Sequence, residues 1–400
     1  PCLESRERRK PSPDWRKAAA GKENCFSCSK PPPVRHRHIQ KRTRVSEDMF
    51  CAIKVKKTAV LAVLLVCVLV GAAVLARQAE AGAEKKEPIK WVDFNIPSEL
   101  LKSAMELDIE THGEEGRPHV DWIEILAYLG TKYGGDFTRY RSGDLEAVLE
   151  KIGSGQTVAS LGEGLKYYSY YSEAYHAVLD GFVGEYEVET ENGWEKRYGL
   201  KAYSPIAKTF PYSDYDDFGV GRSYGYQRRH LGHDLMAAVG TPVIAVESGV
   251  VEAMGWNQYG GWRIGVRSFD GKRYHYYAHL RKDRPYAEGL EPGQTVMAGD
   301  VIGYVGRTGY SATENTNNID TSHLHYGLQL IFDESQKEGA NEIWIDVNDL
   351  CNLLRNHQSE VVRDDATKEW SRAQPFREEI PENRFSPAPS PEEGSGGSRP

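Results

Sequence analysis

Hydrophobic residues recur at three- and four-residue spacing along four stretches in the first half of the chain. These stretches cover residues 98–107, 120–129, 144–152 and 165–182. Apolar side chains at that spacing form one face of an amphipathic helix, and a Pro-Ser start or a Gly-Gly stop marks its ends. The pattern therefore predicts a small all-helical domain, to which we assign residues 88–200.

The last of these helices carries a stripe of tyrosines. Its members are Tyr167, Tyr168, Tyr170, Tyr171 and Tyr175. An aromatic stripe at helical spacing usually packs in a core, so we expect these rings to be buried. The alternative is a surface on which sugar rings stack, since aromatic planes suit glycans.

From residue 241 onwards, short runs rich in β-branched residues alternate with Gly and Pro. Asp270-Gly271 separates two such runs, residues 262–267 and 273–280, which is a strong signal for a β-hairpin. A strand at 343–347 and a short helix at 350–354 follow. We predict an antiparallel β-sheet domain with a groove over residues 201–358, and hence an α+β fold for the chain.

The two ends of the chain differ in composition from its middle. An uncharged apolar run from Ala59 to Ala76 follows three lysines; it is long for a signal peptide and just enough for a membrane span. We expect a signal peptide or a transmembrane anchor within residues 49–81, with the rest of the chain exported because positive charge stays inside. Residues 1–48 are basic and are expected to be disordered and not native, and Pro, Gly and Ser enrichment predicts a disordered tail at 359–400.

Composition limits the functional classes. The chain has 400 residues, of which 27% are charged and 40% hydrophobic, with a net charge of −8. That mild acidity lacks the clustered basic face of a nucleic-acid-binding protein, so we expect no nucleic-acid partner. Only Cys351 lies beyond the apolar run, so the exported part cannot hold an internal disulfide and has to be stabilised by its core.

Six of the twelve histidines lie between residues 230 and 325, and five of these six fall in three short segments. The segments are His230-Leu231-Gly232-His233-Asp234, Tyr277-Ala278-His279-Leu280 and His323-Leu324-His325. Zinc binds imidazole nitrogen and carboxylate oxygen, and a catalytic zinc site uses three protein ligands and leaves a position for water. Further imidazoles beside such a site can move protons near neutral pH. The segments therefore predict a zinc hydrolase, in which either His230 or His233 pairs with Asp234.

Isolated histidines have a simpler interpretation. A lone His on a β face or a helix is more often a hydrogen-bonded structural residue than a ligand, because a metal site needs several convergent groups. We apply this interpretation to His176, His233 and His275. On a strand, by contrast, His323 and His325 point to the same face, so one can bind a metal while the other stays free beside it.

Residues 201–335 resemble the lysostaphin/LytM-type zinc metalloendopeptidases, which cut peptidoglycan cross-bridges. The matching pieces are His230-x-x-x-Asp234, Gly240-Thr241-Pro242-Val243-x-Ala245, Gly249-Val250-Val251, Tyr277-x-His279-Leu280, Gly299-Asp300-x-Ile302-Gly303, Gly306-x-Thr308-Gly309 and His323-x-His325. The resemblance implies a LytM-like β fold, a Zn²⁺ cofactor and a peptidoglycan peptide as substrate. It also implies an extracytoplasmic location in a bacterial cell envelope.

The resemblance assigns roles residue by residue. It implies zinc ligation by His230, Asp234 and His325, so it favours His230 over His233. It makes His279 and His323 the catalytic imidazoles. Tyr224 is the nearest match to a tyrosine that stabilises the oxyanion, although a packing role fits it equally. The segment between Gly309 and His323 is longer and more polar than the family's usual link, which leaves the preferred peptide open.

Three other functions remain as alternatives at this stage. The first is a non-catalytic LytM-like module that binds or regulates another wall enzyme. The second is a structural partner in an intermembrane assembly such as a sporulation complex, with the helical domain as its interface. The third is a zinc hydrolase of a different peptide, such as a secreted bacteriocin. The intact set of ligand and catalytic histidines favours the peptidase.

Overall fold

The computed structural model describes residues 87–223, 227–337, 339 and 341–387. The described residues all belong to one compact unit. The expected basic segment 1–48 and the apolar segment 49–81 therefore lie outside the described residues. In the part of the chain that the structure describes, no helix is long and apolar enough to cross a membrane.

The first half of the described chain is helical, as the periodicity predicted. The helices are α1 (Ser98–Thr111), α2 (Trp122–Tyr133), α3 (Ser142–Gly153), α4 (Val158–Gly162) and α5 (Tyr168–Leu179), with a 3₁₀ turn at Phe137–Arg139. Helix α2 shows why its ends lie where they do. The Asp121 side chain accepts hydrogen bonds from the Ile123 and Glu124 amides, and Gly134 ends the helix with φ +66°, a left-handed conformation that glycine adopts easily.

The tyrosine stripe of α5 faces the hydrophobic core with only part of its length. Tyr175 and Tyr171 are 0% and 7% exposed, and Tyr168 and Tyr170 pack partly buried against the same core. Tyr167, at the start of the helix, is 52% exposed. The core interpretation thus describes most of the stripe.

A β-hairpin occupies the end of the range in which only helices were expected. Strands β1 (Val183–Thr190) and β2 (Gly193–Leu200) pair antiparallel, with Thr190 opposite Gly193. Charged and apolar residues alternate along β1, which is a strand pattern, and Gly193 has φ +101° at the turn. The alternation of charged and apolar residues along Val183–Thr190 therefore favours a strand there, although the preceding segment is helical. The assignment of 88–200 and 201–358 to two domains stays a prediction.

The remaining strands are mostly short and antiparallel. They are β3 (Tyr212–Ser213), β4 (Gly221–Ser223), β5 (Gln227–Arg229), β6 (His233–Ala237), β7 (Pro242–Ile244), β8 (Gly249–Asn257), β9 (Gly261–Ser268), β10 (Arg273–Ala278), β11 (Thr295–Val296), β12 (Val301–Tyr304), β13 (Leu324–Leu330) and β14 (Ile343–Ile345). The predicted hairpin at Asp270-Gly271 joins β9 to β10, and Gly271 has φ +75° there. Helix α6 (Asn348–Leu354) follows β14 as expected.

One large sheet carries the chemistry-bearing residues. Its strand order is β11-β8-β9-β10-β13-β6-β3, with β14 paired to the end of β13. The buried apolar residues of this sheet and of the helices belong to the same hydrophobic core. The described chain is thus an α+β fold with an antiparallel β-sheet, as predicted.

A buried ion pair joins helix α5 to the sheet. The Arg273 guanidinium donates to both carboxylate oxygens of Glu247, at 2.8 and 3.1 Å, and to the Ala177 carbonyl at 3.0 Å. His275 lies between Glu247 and the Tyr326 hydroxyl, 2.9 Å from each. Burial disfavours the Glu247 carboxylate, but Arg273 and His275 outweigh burial and lower its pKa to about 2.

Residues 359–387 were expected to belong to a disordered tail, but the structure forms strands among them. Strands β15 (Val361–Arg363), β16 (Trp370–Arg372) and β17 (Phe376–Arg377) continue the fold, and Phe376 is 7% exposed. Strand β17 pairs with β1. The correction has a compositional reason, because valine and aromatic residues still occur up to residue 376 and the Pro, Gly and Ser enrichment starts only after it. Residues 388–400 lie outside the described range.

Candidate metal centre and active site

Strand register brings the histidine segments together. In the antiparallel pair of β6 and β13, Asp234 lies opposite His325, and in the pair of β13 and β10, His325 lies opposite Ala278. His279 follows Ala278 directly at the end of β10. Side chains directly opposite each other in such pairs have Cβ atoms about 5 Å apart. Three segments that are distant in sequence therefore meet around His325.

Three donor atoms converge at this point. Nε2 of His230 lies 3.0 Å from Oδ1 of Asp234 and 3.0 Å from Nδ1 of His325, and the last two atoms are 2.9 Å apart. His230 and Asp234 are 5% and 2% exposed, and the His325 side chain is 14% exposed. These three residues form a group that could hold a metal ion, with one ligand atom each.

The surroundings of His230 fix which nitrogen faces this group. Its other nitrogen, Nδ1, lies 2.9 Å from Oδ1 of Asp217. Nδ1 also lies 3.3 Å from the Asp217 backbone carbonyl oxygen, which accepts its proton, so Nε2 presents a lone pair to Asp234 and His325. Lone pairs of two imidazoles and a carboxylate within about 3 Å of one another fit a shared cation such as Zn²⁺, whose ligands lie ~2.0–2.2 Å from it.

Two residues that contact the three donors, Asp217 and Arg222, are not marked by any sequence motif. Asp217 is buried, and Arg222 donates to it and to Oδ2 of Asp234, the latter at 2.7 Å. Asp217 lies in an acidic run after Asp214, where no spacing distinguishes it from its neighbours. Its contact with Arg222 in the folded chain is what identifies Asp217 as part of the site.

The pKa values of Asp234 and His325 are both lowered, for different reasons. Burial opposes ionisation of Asp234, but hydrogen bonds with His230 and His325 outweigh it and lower the carboxyl pKa. Burial lowers the pKa of His325, although Asp234 opposes this shift. A carboxylate beside a neutral imidazole is the protonation state in which both groups can ligate a metal.

Two further imidazoles lie against the group. The ring of His279 is 4.9 Å from that of His323 and 5.7 Å from that of His325, measured between centroids. Nδ1 of His279 lies 2.9 Å from the Thr308 carbonyl oxygen, and Nδ1 of His323 lies 2.9 Å from the Thr321 carbonyl oxygen. Each ring thus donates through Nδ1, which leaves Nε2 to accept a proton.

These two histidines are held in defined positions. Among the residues that the structure describes, Nε2 of His323 is buried without a hydrogen-bond partner. His279 has φ +62°, a left-handed conformation that costs energy in a non-glycine residue and that clusters at functional sites. Burial, followed by the nearby His323 and His325, lowers the pKa of His279 well below its ordinary value. Its imidazole is therefore neutral.

Comparison with known proteins agrees with this geometry. Residues 228–338 match the profile of Peptidase family M23. The L-Ala–D-Glu endopeptidase of Bacillus subtilis is 42% identical over 124 residues, which are 31% of this chain and 36% of the relative. Residues 228–338 are an M23 peptidase domain.

More distant relatives match the same part of the chain. Lysostaphin of Staphylococcus simulans is 32% identical over 143 residues, 36% of this chain and 23% of the relative. The solved catalytic domain of that lysostaphin is 33% identical, covers 30% of this chain and 80% of the domain, and superposes with a TM-score of 0.25. The chain thus spans only about a quarter to a third of the length of these two curated relatives.

His233, His176 and His275 lie outside the group of three donors, as predicted for structural histidines. Nε2 of His233 lies 2.9 Å from Oδ2 of Asp214, away from the three donors. His176, on α5, lies 2.9 Å from Glu124 and bonds Asp180, and His275 serves the buried ion pair described above. Tyr224 lies outside the described residues.

Glycine makes room for the group within the loop between β5 and β6. A Cβ on Gly232 would lie 2.5 Å from Cε1 of His325 and 2.8 Å from the Tyr326 carbonyl oxygen. Any larger residue would push His325 away from His230 and Asp234. The glycine between the two histidines of the first segment is therefore part of the site.

The group opens into a groove of about 500 Å³ on the face of the sheet. The lining residues are Arg228, Arg229, His230, Leu231, Asn257, Tyr259, Gly260, Arg263, Tyr274, Tyr276, Ala278, His279, Tyr310, His325, Gln329, Lys337, Glu342 and Trp344. Tyr310 belongs to the long polar segment between Gly309 and His323, so this segment contributes to the groove lining. A groove of this size accommodates a segment of peptide.

Proposed function

We propose that the M23 domain is a zinc-dependent endopeptidase that hydrolyses peptide bonds in bacterial peptidoglycan. The observation that carries the proposal is the convergence of three donor atoms within 3.0 Å, with two imidazoles beside them, at an open groove. A binding or regulatory module needs the groove but not the imidazoles. The chemistry of the whole set is that of a hydrolase.

Zn²⁺ is the proposed cofactor, and His230, Asp234 and His325 are its proposed ligands. When bound, it supplies Lewis acidity that polarises a carbonyl and lowers the pKa of water toward ~7. Asp217 holds His230 in the tautomer that presents Nε2. Arg222 donates to Oδ2 of Asp234 and so balances part of the negative charge of that carboxylate. Two ligands on adjacent strands and one on the preceding loop leave the groove side open for substrate.

His279 and His323 are the proposed proton carriers. Each presents Nε2 while its Nδ1 is held by a backbone carbonyl. One of them takes the proton of the attacking water and returns it to the leaving amine, which contributes ~10²–10⁴-fold to the rate. The other is proposed to donate a hydrogen bond to the developing oxyanion from Nε2 in its imidazolium form, because its Nδ1 proton is already held by a backbone carbonyl. Tyr224 is proposed as a second donor to the oxyanion.

The peptide part of peptidoglycan is the proposed substrate. The relatives carry names for different bonds within it: L-Ala–D-Glu for the Bacillus subtilis enzyme and glycyl-glycine for an enzyme of Staphylococcus capitis, which is 38% identical over 98 residues. This substrate lies outside the cytoplasm, so we propose an extracytoplasmic location in the cell envelope. The apolar segment within residues 49–81 would provide export or a membrane anchor.

Zinc-dependent cleavage tests this proposal. The purified chain should release new amino termini from isolated peptidoglycan, lose this activity on treatment with a chelator and regain it on addition of zinc. Release that persists in the chelated protein would disprove the role of the metal. A zinc-loaded chain that binds peptidoglycan without cleaving it would favour a binding module instead.

A further inference from the structure

The floor of the groove is the outer face of the central sheet. Residues two apart on a strand point to the same face, so Tyr274, Tyr276 and Ala278 of β10 line the groove while Tyr277 is buried beneath it. The same alternation on β9 puts Arg263 on the floor beside the buried Ile264. The groove is therefore built from regular strands, which hold their side chains firmly.

The groove carries positive charge in a chain that is negative overall. Of its lining residues, Arg228, Arg229, Arg263 and Lys337 are cationic, and Glu342 carries the carboxylate outside the metal group. The chain as a whole has a net charge of −8. The cationic groove is thus a local feature, and a cleft lined by one sign of charge attracts a ligand of the other sign.

Only part of this positive charge is neutralised within the protein. Lys337 pairs with Glu252 behind the groove. Glu342 accepts a hydrogen bond from the Trp344 indole at 2.9 Å, so it is directed to that ring. Within the described residues, no carboxylate pairs with Arg228 or Arg263, and the Nε atoms of both arginines are buried without an acceptor. A planar guanidinium in this situation suits a carboxylate ligand.

Both arginines lie close to the proposed catalytic residues. Arg228 donates to the Tyr310 hydroxyl, and the Tyr310 ring is 5.7 Å from that of His279 between centroids. Burial raises the pKa of Tyr276, and the positive charge of Arg263 beside it opposes that rise. The Tyr276 ring in turn lies 6.0 Å from that of His325. Each arginine is therefore one aromatic side chain away from the site of hydrolysis.

We propose that Arg228 and Arg263 form a carboxylate-binding site that selects peptides with a free carboxylate next to the scissile bond, over neutral glycine-only bridges. This inference rests on the proposed function and specifies its substrate class. An extended peptide advances ~3.3–3.6 Å per residue, so a group one aromatic side chain from the metal faces a residue adjacent to the bond that is cut. The tyrosines that line the groove, Tyr274, Tyr276 and Tyr310, contact the rest of the peptide.

A pair of peptides that differ in one charge tests the proposal. Two stem peptides are prepared that are identical except that the glutamate carboxylate is free in one and amidated in the other, and kcat/KM is measured with the zinc-loaded chain. A charge-assisted hydrogen bond predicts that the acidic peptide is cleaved roughly 10–100-fold more efficiently. The advantage should shrink as salt is added, because exposed charges are screened.

Substitutions locate the effect. Arg228→Gln and Arg263→Gln should each lower kcat/KM more for the acidic peptide than for the amide, so that the ratio falls toward one. Arg197→Gln serves as a control, because Arg197 lies on β2 and pairs with Glu195; it should keep the parent ratio. A ratio near one in the parent, or a ratio that neither groove substitution changes, overturns the inference.

Binding separates this inference from the proposed function. The same two peptides are titrated onto the zinc-loaded His323→Ala variant, which should bind them without turnover. Tighter binding of the acidic peptide to this variant, together with a zinc-loaded parent that cleaves neither peptide, would support the carboxylate site and disprove the peptidase. Cleavage of both peptides at equal rates would support the peptidase and disprove the carboxylate site.

Discussion

Asp234 and His325 face each other across the β6–β13 pair, with Oδ1 and Nδ1 2.9 Å apart. Two of the three candidate ligands are thus set by strand register and not by a flexible loop. His230 enters from the segment before β6, four residues from Asp234, and is fixed from behind by Asp217. A site built on strands and supported by second carboxylates is preorganised for a metal.

Zinc content distinguishes the two histidines of the first segment. The parent chain should hold one zinc ion, and His230→Ala or Asp234→Ala should remove it, because either change deletes one of three converging donors. His233→Ala is the matched control and should keep the ion, since this ring pairs with Asp214. Metal analysis of the dialysed proteins measures this. Loss of zinc from His233→Ala together with its retention in His230→Ala would reverse the assignment.

Asp217 is expected to tune the affinity for the metal. Asp217→Asn removes the charge that faces Nδ1 of His230, so zinc should bind roughly 10–100-fold more weakly, as for other partners of metal-bound histidines. Competition with a chromogenic chelator measures the affinity. Asp216→Asn, one residue away, should behave as the parent; equal affinities in all three proteins would exclude a role for Asp217.

Much of this site was predictable from sequence because its ligands follow fixed local spacing. His230 and Asp234 are four residues apart and His323 and His325 two apart, so each segment carries its own signal. Asp217 and Arg222 contribute through contacts that depend on how a loop packs, which no spacing encodes. The φ of +62° at His279 is also a tertiary effect, since histidine by itself disfavours that conformation.

Proton transfer should depend on the two histidines that do not belong to the candidate ligands. His279→Ala and His323→Ala should each retain zinc and fold but lose ~10²–10⁴-fold in peptidoglycan cleavage, the usual contribution of a general acid or base. Rates on isolated peptidoglycan, with zinc content measured in parallel, test this. Zinc-loaded variants that both cut as fast as the parent would rule out proton transfer through these rings.

The fold was predictable where an apolar period extends over several turns, and less so where elements are short. Helices α1 to α3 and α5 were predicted because their apolar residues keep a helical period over several turns. The hairpin β1–β2 was missed because it follows four helical stretches without a break in composition, although β1 itself alternates. The three strands described after residue 359 were missed because each has only two or three residues, too few to show a period.

The buried pair of Glu247 and Arg273 should govern stability. Glu247→Gln removes the buried counter-charge of the Arg273 guanidinium and leaves it only the partly exposed Asp270, 3.1 Å away. It should lower the free energy of unfolding by about 3–5 kcal/mol, measured by urea denaturation. Glu195→Gln, on the exposed face of β2, should change it little.

The pH dependence of stability gives a second readout of the same pair. The pKa of Glu247 is about 2 in the folded chain, below its ordinary value of 4.5, so the folded state binds this proton less readily than the unfolded one. Its stabilisation is therefore complete above pH ~4.5 and is lost as the pH falls toward 2. The parent should lose more stability over that window than Glu247→Gln does; equal losses would contradict the ionised state of Glu247.

Mass spectrometry of peptidoglycan fragments tests the central claim most directly. Isolated peptidoglycan is incubated with the zinc-loaded chain, and the fragments are compared with those from the Asp234→Ala variant. Hydrolysis by the proposed site predicts fragments whose masses increase by one water at a peptide bond, present with the parent and absent with the variant. Unchanged fragments in the presence of a parent chain that holds its zinc would contradict the claim that this metal group is a peptidase centre.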